Sequence, residues 1–127
     1  MKILIIDDNY VQANLLAQSA SEYFFDEDFE FSVFNEKPNE LHVETVSQFS
    51  LLIIDQNLGG DIYGADIAND ILKAGYSGSV IIYTGDITVS DSEVPPHERI
   101  KFAHKGDNLS LFSLIEQVLR GVTCQEL

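Results

Sequence analysis

Five residues of this 127-residue chain carry groups that could do chemistry together: Asp7, Asp8, Asp55, Thr84 and Lys105. Each lies at the end of a short apolar run. "KILII" leads into Asp7 and Asp8, "LLII" into Asp55, "SVIIY" into Thr84, and "IKFAH" into Lys105. Three carboxylates held close together repel one another, and one of them tends to keep its proton. A divalent cation removes that conflict, and Mg2+ favours hard oxygen ligands while keeping several waters. A lysine and a hydroxyl beside the acids make sense if a phosphoryl group joins the metal. The metal and the ammonium neutralise its oxygens, and the hydroxyl donates a hydrogen bond. An aspartate in such a setting can act as nucleophile and form an aspartyl-phosphate. Each residue also has an ordinary explanation. Asp7 and Asp8 could cap a helix, Asp55 could start a turn, Thr84 suits any strand, and Lys105 could be a surface charge. Singly these explanations are the better ones. For five such residues at successive strand ends in one order, coincidence is the weaker account.

The elements that must position these groups are legible in the apolar pattern. The segments 2–7, 51–55 and 79–85 are rich in Ile, Val and Leu with no polar face, as strands buried on both sides of a parallel sheet are. "KILII" reads as a central strand. "IKFAH" (100–104) is a further strand, and "FEFSVF" (29–34) alternates in part and suits a strand nearer an edge. Helical spacing falls between them. From Asn9 onward Val11, Leu15, Leu16, Ser19, Ala20 and Tyr23 recur at helix intervals, with Asp8 or Asn9 as the cap. "PNELHVETVSQF" (38–49) can place Leu41, Val43, Val46 and Phe49 together. "GADIANDILKAG" (64–75) aligns Ile67, Ala68, Ile71 and Leu72 and stops at Gly75. "DNLSLFSLIEQVLRG" (107–121) starts at Asp107 or Asn108, ends at Gly121, and has an inner stripe of Leu111, Leu114, Ile115, Val118 and Leu119.

Strand and helix alternate about five times, which implies an α/β domain: a doubly wound, five-stranded parallel sheet with helices on both faces. One segment departs from the pattern. "DITVSDSEVPPHER" (86–99), where the fourth helix belongs, contains Pro95–Pro96 and many β-branched residues, so an atypical, short or irregular element is expected there. In an open parallel sheet, ligands bind beyond the carboxyl ends of the strands, where strand order reverses. All five reactive residues fall on that edge.

Length suits a single domain, 1–127. A lone cysteine, Cys124, makes neither an internal disulfide nor a cysteine metal site, so nothing indicates an oxidising compartment. The apolar run after Lys2 is too short for a signal peptide or a membrane span, and a soluble cytoplasmic protein is expected. The net charge of -14 repels phosphate backbones and anionic lipids, which argues against direct DNA binding and membrane insertion. Acids crowd the stretch from Glu22 to Glu44, and a solvated, solubilising face explains them.

The acid pair Asp7–Asp8, Asp55 in "LLIIDQNL", Thr84 in "IIYTGD" and Lys105 in "KFAHKG", in that order and spacing, resemble the receiver domains of two-component response regulators over nearly the whole chain. The resemblance implies a flavodoxin-like (βα)5 receiver fold. It also implies that Asp55 is the phosphoacceptor, taking its phosphoryl group from a sensor histidine kinase or a histidine phosphotransfer protein. Asp8 would bind Mg2+ (or Mn2+) directly, Asp7 mainly through bound water, and Asn57 through its backbone carbonyl. Thr84 and Lys105 would contact the phosphoryl oxygens, and Gly85 would leave them access. Phe102 matches the aromatic that turns when Thr84 moves. Gln56, Asn57 and Asp86 flank the site. Such a chain is not a conventional enzyme beyond its own phosphorylation and dephosphorylation. It would signal through protein contact with a downstream effector, with the last helix ending near Gly121 and no output domain. Three features depart from the family pattern: Gly106 stands where proline usually follows the lysine, Gly59 stands in a loop one residue longer than usual, and the 86–99 segment is atypical. A phosphorylation-independent pseudo-receiver module is the alternative these departures suggest. A flavodoxin-like cofactor binder would need a Ser, Thr or Gly-rich phosphate loop after the first strand, and "DDNYVQ" supplies two anions instead.

Overall fold

The apolar runs become the five strands expected of them. A computed structural model describes residues 1–34, 42–56, 58, 63–85 and 99–120. The strands are β1 (Lys2–Ile6), β2 (Glu30–Val33), β3 (Leu51–Asp55), β4 (Ser79–Thr84) and β5 (Ile100–His104). They form one sheet in the order β2-β1-β3-β4-β5, with every pairing parallel. This is the flavodoxin-like order, and strand order reverses between β1 and β3. The middle place belongs to β3, whose five residues are all buried; β1 sits one place from the centre, a small correction to the sequence reading. The partly alternating segment is indeed an edge strand, β2.

Four helices are described: α1 (Tyr10–Tyr23), α2 (Val43–Val46), α3 (Gly64–Lys73) and α4 (Asn108–Arg120). Side chains on a strand alternate between faces, and the core divides accordingly. Ile3, Ile5, Leu51, Ile53 and Ile81 pack with Ala13 and Ala20 of α1 and Leu111 and Ile115 of α4. Leu4, Ile6, Leu52, Ile54 and Ile82 pack on the other face with Val46 of α2 and Ala68, Ile71 and Leu72 of α3.

Two expectations about the helices change. The α1 stripe is rotated: Val11 and Leu15 are 70% and 58% exposed, Tyr23 is 46% exposed, and Ala13 and Ala20 are the buried positions, with Leu16 and Ala17 partly covered. Ala20 is buried as its place in the stripe requires, and small residues fill the contact with the sheet while Val11, Leu15 and Tyr23 lie largely outside it. The helix over 38–49 is limited to Val43–Val46 among the described residues, starting after His42, and Phe49 packs on the core from beyond its end. The inner stripe of α4 holds as expected: Leu111 and Ile115 are buried, Leu114, Val118 and Leu119 pack against the same cluster, and Phe112 joins them. The segment 86–98, with Pro95–Pro96, lies outside the described residues, as do Asn57, Gly59, Asp86, Gly121 and Cys124.

The rotated face of α1 has a direct test in thermal or denaturant unfolding. Leu15→Ser should change stability by no more than about 0.5 kcal/mol, as an exposed substitution does. Ala13→Leu should cost about 1–3 kcal/mol by overpacking the sheet contact.

Candidate functional site

Chain direction and alternation together assemble the site. Continuing the odd-numbered face of β1 and β3 past their last aliphatics brings Asp7 and Asp55 to the carboxyl edge on the side of α1 and α4. Both are buried, at 3% and 4% exposure, while Asp8 is exposed. Oxygens of Asp7, Asp8 and Asp55 lie within 4.8 Å of one another. Lys105, just past β5, places its Nζ 3.0 Å from Asp55 Oδ2 and 4.0 Å from Asp7 Oδ2. Thr84 is buried at the end of β4, and its carbonyl accepts the Lys105 backbone N–H at 2.7 Å.

Local backbone chemistry fixes these positions. Asn9 caps α1, its side chain accepting the Gln12 N–H at 3.2 Å, so neither Asp7 nor Asp8 is the capping residue. Asp7 Oδ1 accepts the Asn9 N–H at 2.9 Å, which ties the carboxylate to the helix start. Gly64 opens α3 directly against Asp55: a Cβ there would lie 2.4 Å from the Asp55 carbonyl oxygen. Tyr63, the residue before α3, provides no side-chain cap. Buried Gln56, just past β3, supplies one, its Oε1 accepting the Ala65 N–H at 3.0 Å while its carbonyl accepts the Gly64 N–H at 2.9 Å. Gly106 has φ +98°, a conformation that favours glycine. The described residues contain no cis peptide, so the loop behind Lys105 turns on this glycine, where the family usually has proline. Asp107 then caps α4, accepting the Ser110 N–H at 3.1 Å and the Ser110 hydroxyl at 2.8 Å.

Phe102 lies on the opposite face of the sheet. It is partly buried against the α2/α3 cluster and paired with Ile82, two residues before Thr84 on the same strand face. Gly85 is exposed, and among the described residues a Cβ there would meet nothing within 4 Å.

One site residue escaped the sequence reading. Tyr83, buried at 5% exposure, donates its hydroxyl to Asp7 Oδ2 at 2.6 Å, and its ring lies 5.2 Å from Lys105 Nζ. Burial, then the hydrogen bond to Asp7 and the surrounding carboxylate charges, push its phenol well above the usual range. The available signal was parity: residue 83 shares its strand face with Asp55, its register partner. An open cleft of about 480 Å³ between α1 and α4 reaches Asp7, Tyr83 and Lys105 past Leu15, Leu16 and Leu111.

The donor set fits a divalent cation. Three carboxylates supply hard oxygens, and Lys105 is the one cationic side chain in an ion pair with them among the described residues. Asp7, with a protein donor on each oxygen, is less free to ligate than Asp8. Asp8 is exposed, yet partial desolvation of its carboxylate raises it above the ordinary value of 3.8. A hydrogen bond and then charge repulsion from Asp7 add to that rise.

Proteins of known structure share this architecture. A CheY-like response regulator receiver domain from Methanospirillum hungatei superposes with a TM-score of 0.65 at 18% identity, over 94% of each chain. A response regulator receiver domain from Clostridium thermocellum gives 0.67 at 19% identity, also over 94% of each. A LuxR-family two-component response regulator from Aurantimonas gives 0.73 at 15% identity, over 94% of this chain and 85% of the other. This chain has the receiver fold. No protein-family model matches it, and no curated protein sequence does. Among the described residues no helix is long and apolar enough to cross a membrane.

Two predictions follow from the site's construction. Gln56→Ala should cost about 1–3 kcal/mol in denaturant unfolding, because the Ala65 N–H loses a buried acceptor. For Asp8, the folded protein holds a proton at pH values where the unfolded chain has released it. In chelator-treated protein, stability should therefore fall as pH rises from 3.8 through the raised folded value. Asp8→Asn should remove that fall and leave the metal-free protein more stable at neutral pH, measured as Tm against pH.

Proposed function

We propose that this protein is a phosphoacceptor receiver domain of two-component or phosphorelay signalling, a single domain working in the cytoplasm and signalling by protein contact. The observation that carries the reading is the arrangement of Asp55: buried, 3.0 Å from an ammonium group, and within 4.8 Å of two further carboxylates at the edge where this fold binds ligands. The donor would be a phosphohistidine on a sensor histidine kinase or a histidine phosphotransfer protein.

In the proposed transfer, an Asp55 carboxylate oxygen attacks the phosphorus in line. A P–O bond forms as the P–N bond to the donor imidazole breaks, and the bond's electron pair leaves with that nitrogen. Asp8, Asp55 and the backbone carbonyl of Asn57 would hold Mg2+, with Asp7 acting through bound water. When bound, Mg2+ offsets the charge that builds on the phosphoryl oxygens. Lys105 exchanges its pairing with the Asp55 carboxylate for pairing with a phosphoryl oxygen, so its ammonium is already in place. Thr84 donates its hydroxyl to another oxygen. Phe102, on the Thr84 face of the sheet, turns into the space Thr84 leaves, which carries the change toward an effector. Among the described residues nothing crowds Gly85, which suits access for the incoming group.

Incubation with a small phosphoryl donor such as acetyl phosphate and Mg2+ should add the mass of one phosphoryl group to the intact protein. Asp55→Asn and chelation should each abolish the gain. No gain in the wild-type protein, with Asp55→Asn leaving partner binding unchanged, would identify a phosphorylation-independent pseudo-receiver module instead.

A further inference from the structure

Tyr83 interrupts the aliphatic run of β4 one residue before Thr84. Phenylalanine would satisfy burial there equally well. The hydroxyl instead reaches Asp7 Oδ2 at 2.6 Å, a short bond of the kind a charged acceptor makes. The same ring lies 5.2 Å from Lys105 Nζ, within cation–π range. Tyr83 thus contacts both members of the looser ion pair in the site, the 4.0 Å pair of Lys105 and Asp7. The tighter pair, at 3.0 Å, is Lys105 with Asp55.

We propose that Tyr83 is a positioning residue of this site: its hydroxyl orients the Asp7 carboxylate through Oδ2 and its ring supports the ammonium, which keeps Lys105 on Asp55 and leaves the Asp7 charge facing the cation's bound water rather than paired with Lys105. The inference rests on the metal-binding reading above. Asp7 is 3% exposed, so water has little access to replace a lost donor. Without the phenol, the ammonium 4.0 Å away is the nearest charge able to compensate Oδ2. Lys105 then shifts toward Asp7, neutralising a carboxylate that the cation needs and withdrawing from the phosphoacceptor. Asn9 would hold only the other oxygen, leaving the carboxylate less firmly oriented.

Calorimetric titration with Mg2+ tests this on four proteins: wild type, Tyr83→Phe, Asp7→Asn and the double variant. Each is first shown by its Tm in chelator to be folded. Tyr83→Phe should weaken Mg2+ binding by about tenfold, the loss typical of removing a partner that orients a metal ligand. In the Asp7→Asn background the same substitution should change nothing further. Unchanged or tighter binding by Tyr83→Phe, or an equal loss in both backgrounds, overturns the proposal. Absence of Mg2+ binding by the wild-type protein overturns the metal reading together with it, so the two failures are distinct. Should Tyr83→Phe not fold, 19F NMR of the protein carrying 3-fluorotyrosine replaces it. The resonance displaced by Asp7→Asn must also move with Mg2+, and a resonance indifferent to the metal overturns the proposal.

Discussion

At the carboxyl edge of the sheet, one ammonium group answers three carboxylates among the described residues. The imbalance is local and built in. Asp7 and Asp55 are nearly without solvent, so water screens them weakly, and Lys105 lies closer to Asp55, at 3.0 Å, than to Asp7, at 4.0 Å. Much of the surrounding structure restrains these charges. Asn9 holds one oxygen of Asp7, Tyr83 holds the other, and the Lys105 backbone is tied to Thr84. In the function proposed above, a cation and a phosphoryl group would relieve the repulsion at this edge.

Strand alternation gives this arrangement a second property. The acids and Lys105 share the side covered by α1 and α4, whereas Phe102 shares the side of α2 and α3. Thr84 belongs by parity with Phe102, yet its backbone carbonyl holds Lys105. In the function proposed above, Thr84 is the residue through which a change at the acids would reach the opposite face of the sheet.

Much of the fold was legible because buried parallel strands have a plain signature. The runs 51–55 and 100–104 coincide with β3 and β5, and the placement of Asp7, Asp55, Thr84 and Lys105 at strand ends followed from alternation of element types alone. What sequence misread was helix rotation. Ala20 and, in part, Leu16 lie inward as their spacing indicates, but Val11 and Leu15 of the same stripe are exposed and Ala13 is buried in their place. Tyr83 was missed for a related reason: an apolar run invites one reading for all its members, and a phenol packs as an aromatic until its oxygen finds a partner. Gln56 was placed beside the site, but its role as a cap for α3 depends on a contact nine residues away that spacing does not reveal.

The burial of Tyr83 also has a photophysical consequence. The chain has no tryptophan and five tyrosines, so tyrosine dominates its intrinsic ultraviolet emission. Of these, Tyr83 donates to a carboxylate, a contact that quenches phenol fluorescence by offering the excited state a proton acceptor. Any event that draws Asp7 away from that hydroxyl changes the quenching. The protein therefore carries an optical reporter at the floor of its own charged site, readable without a label.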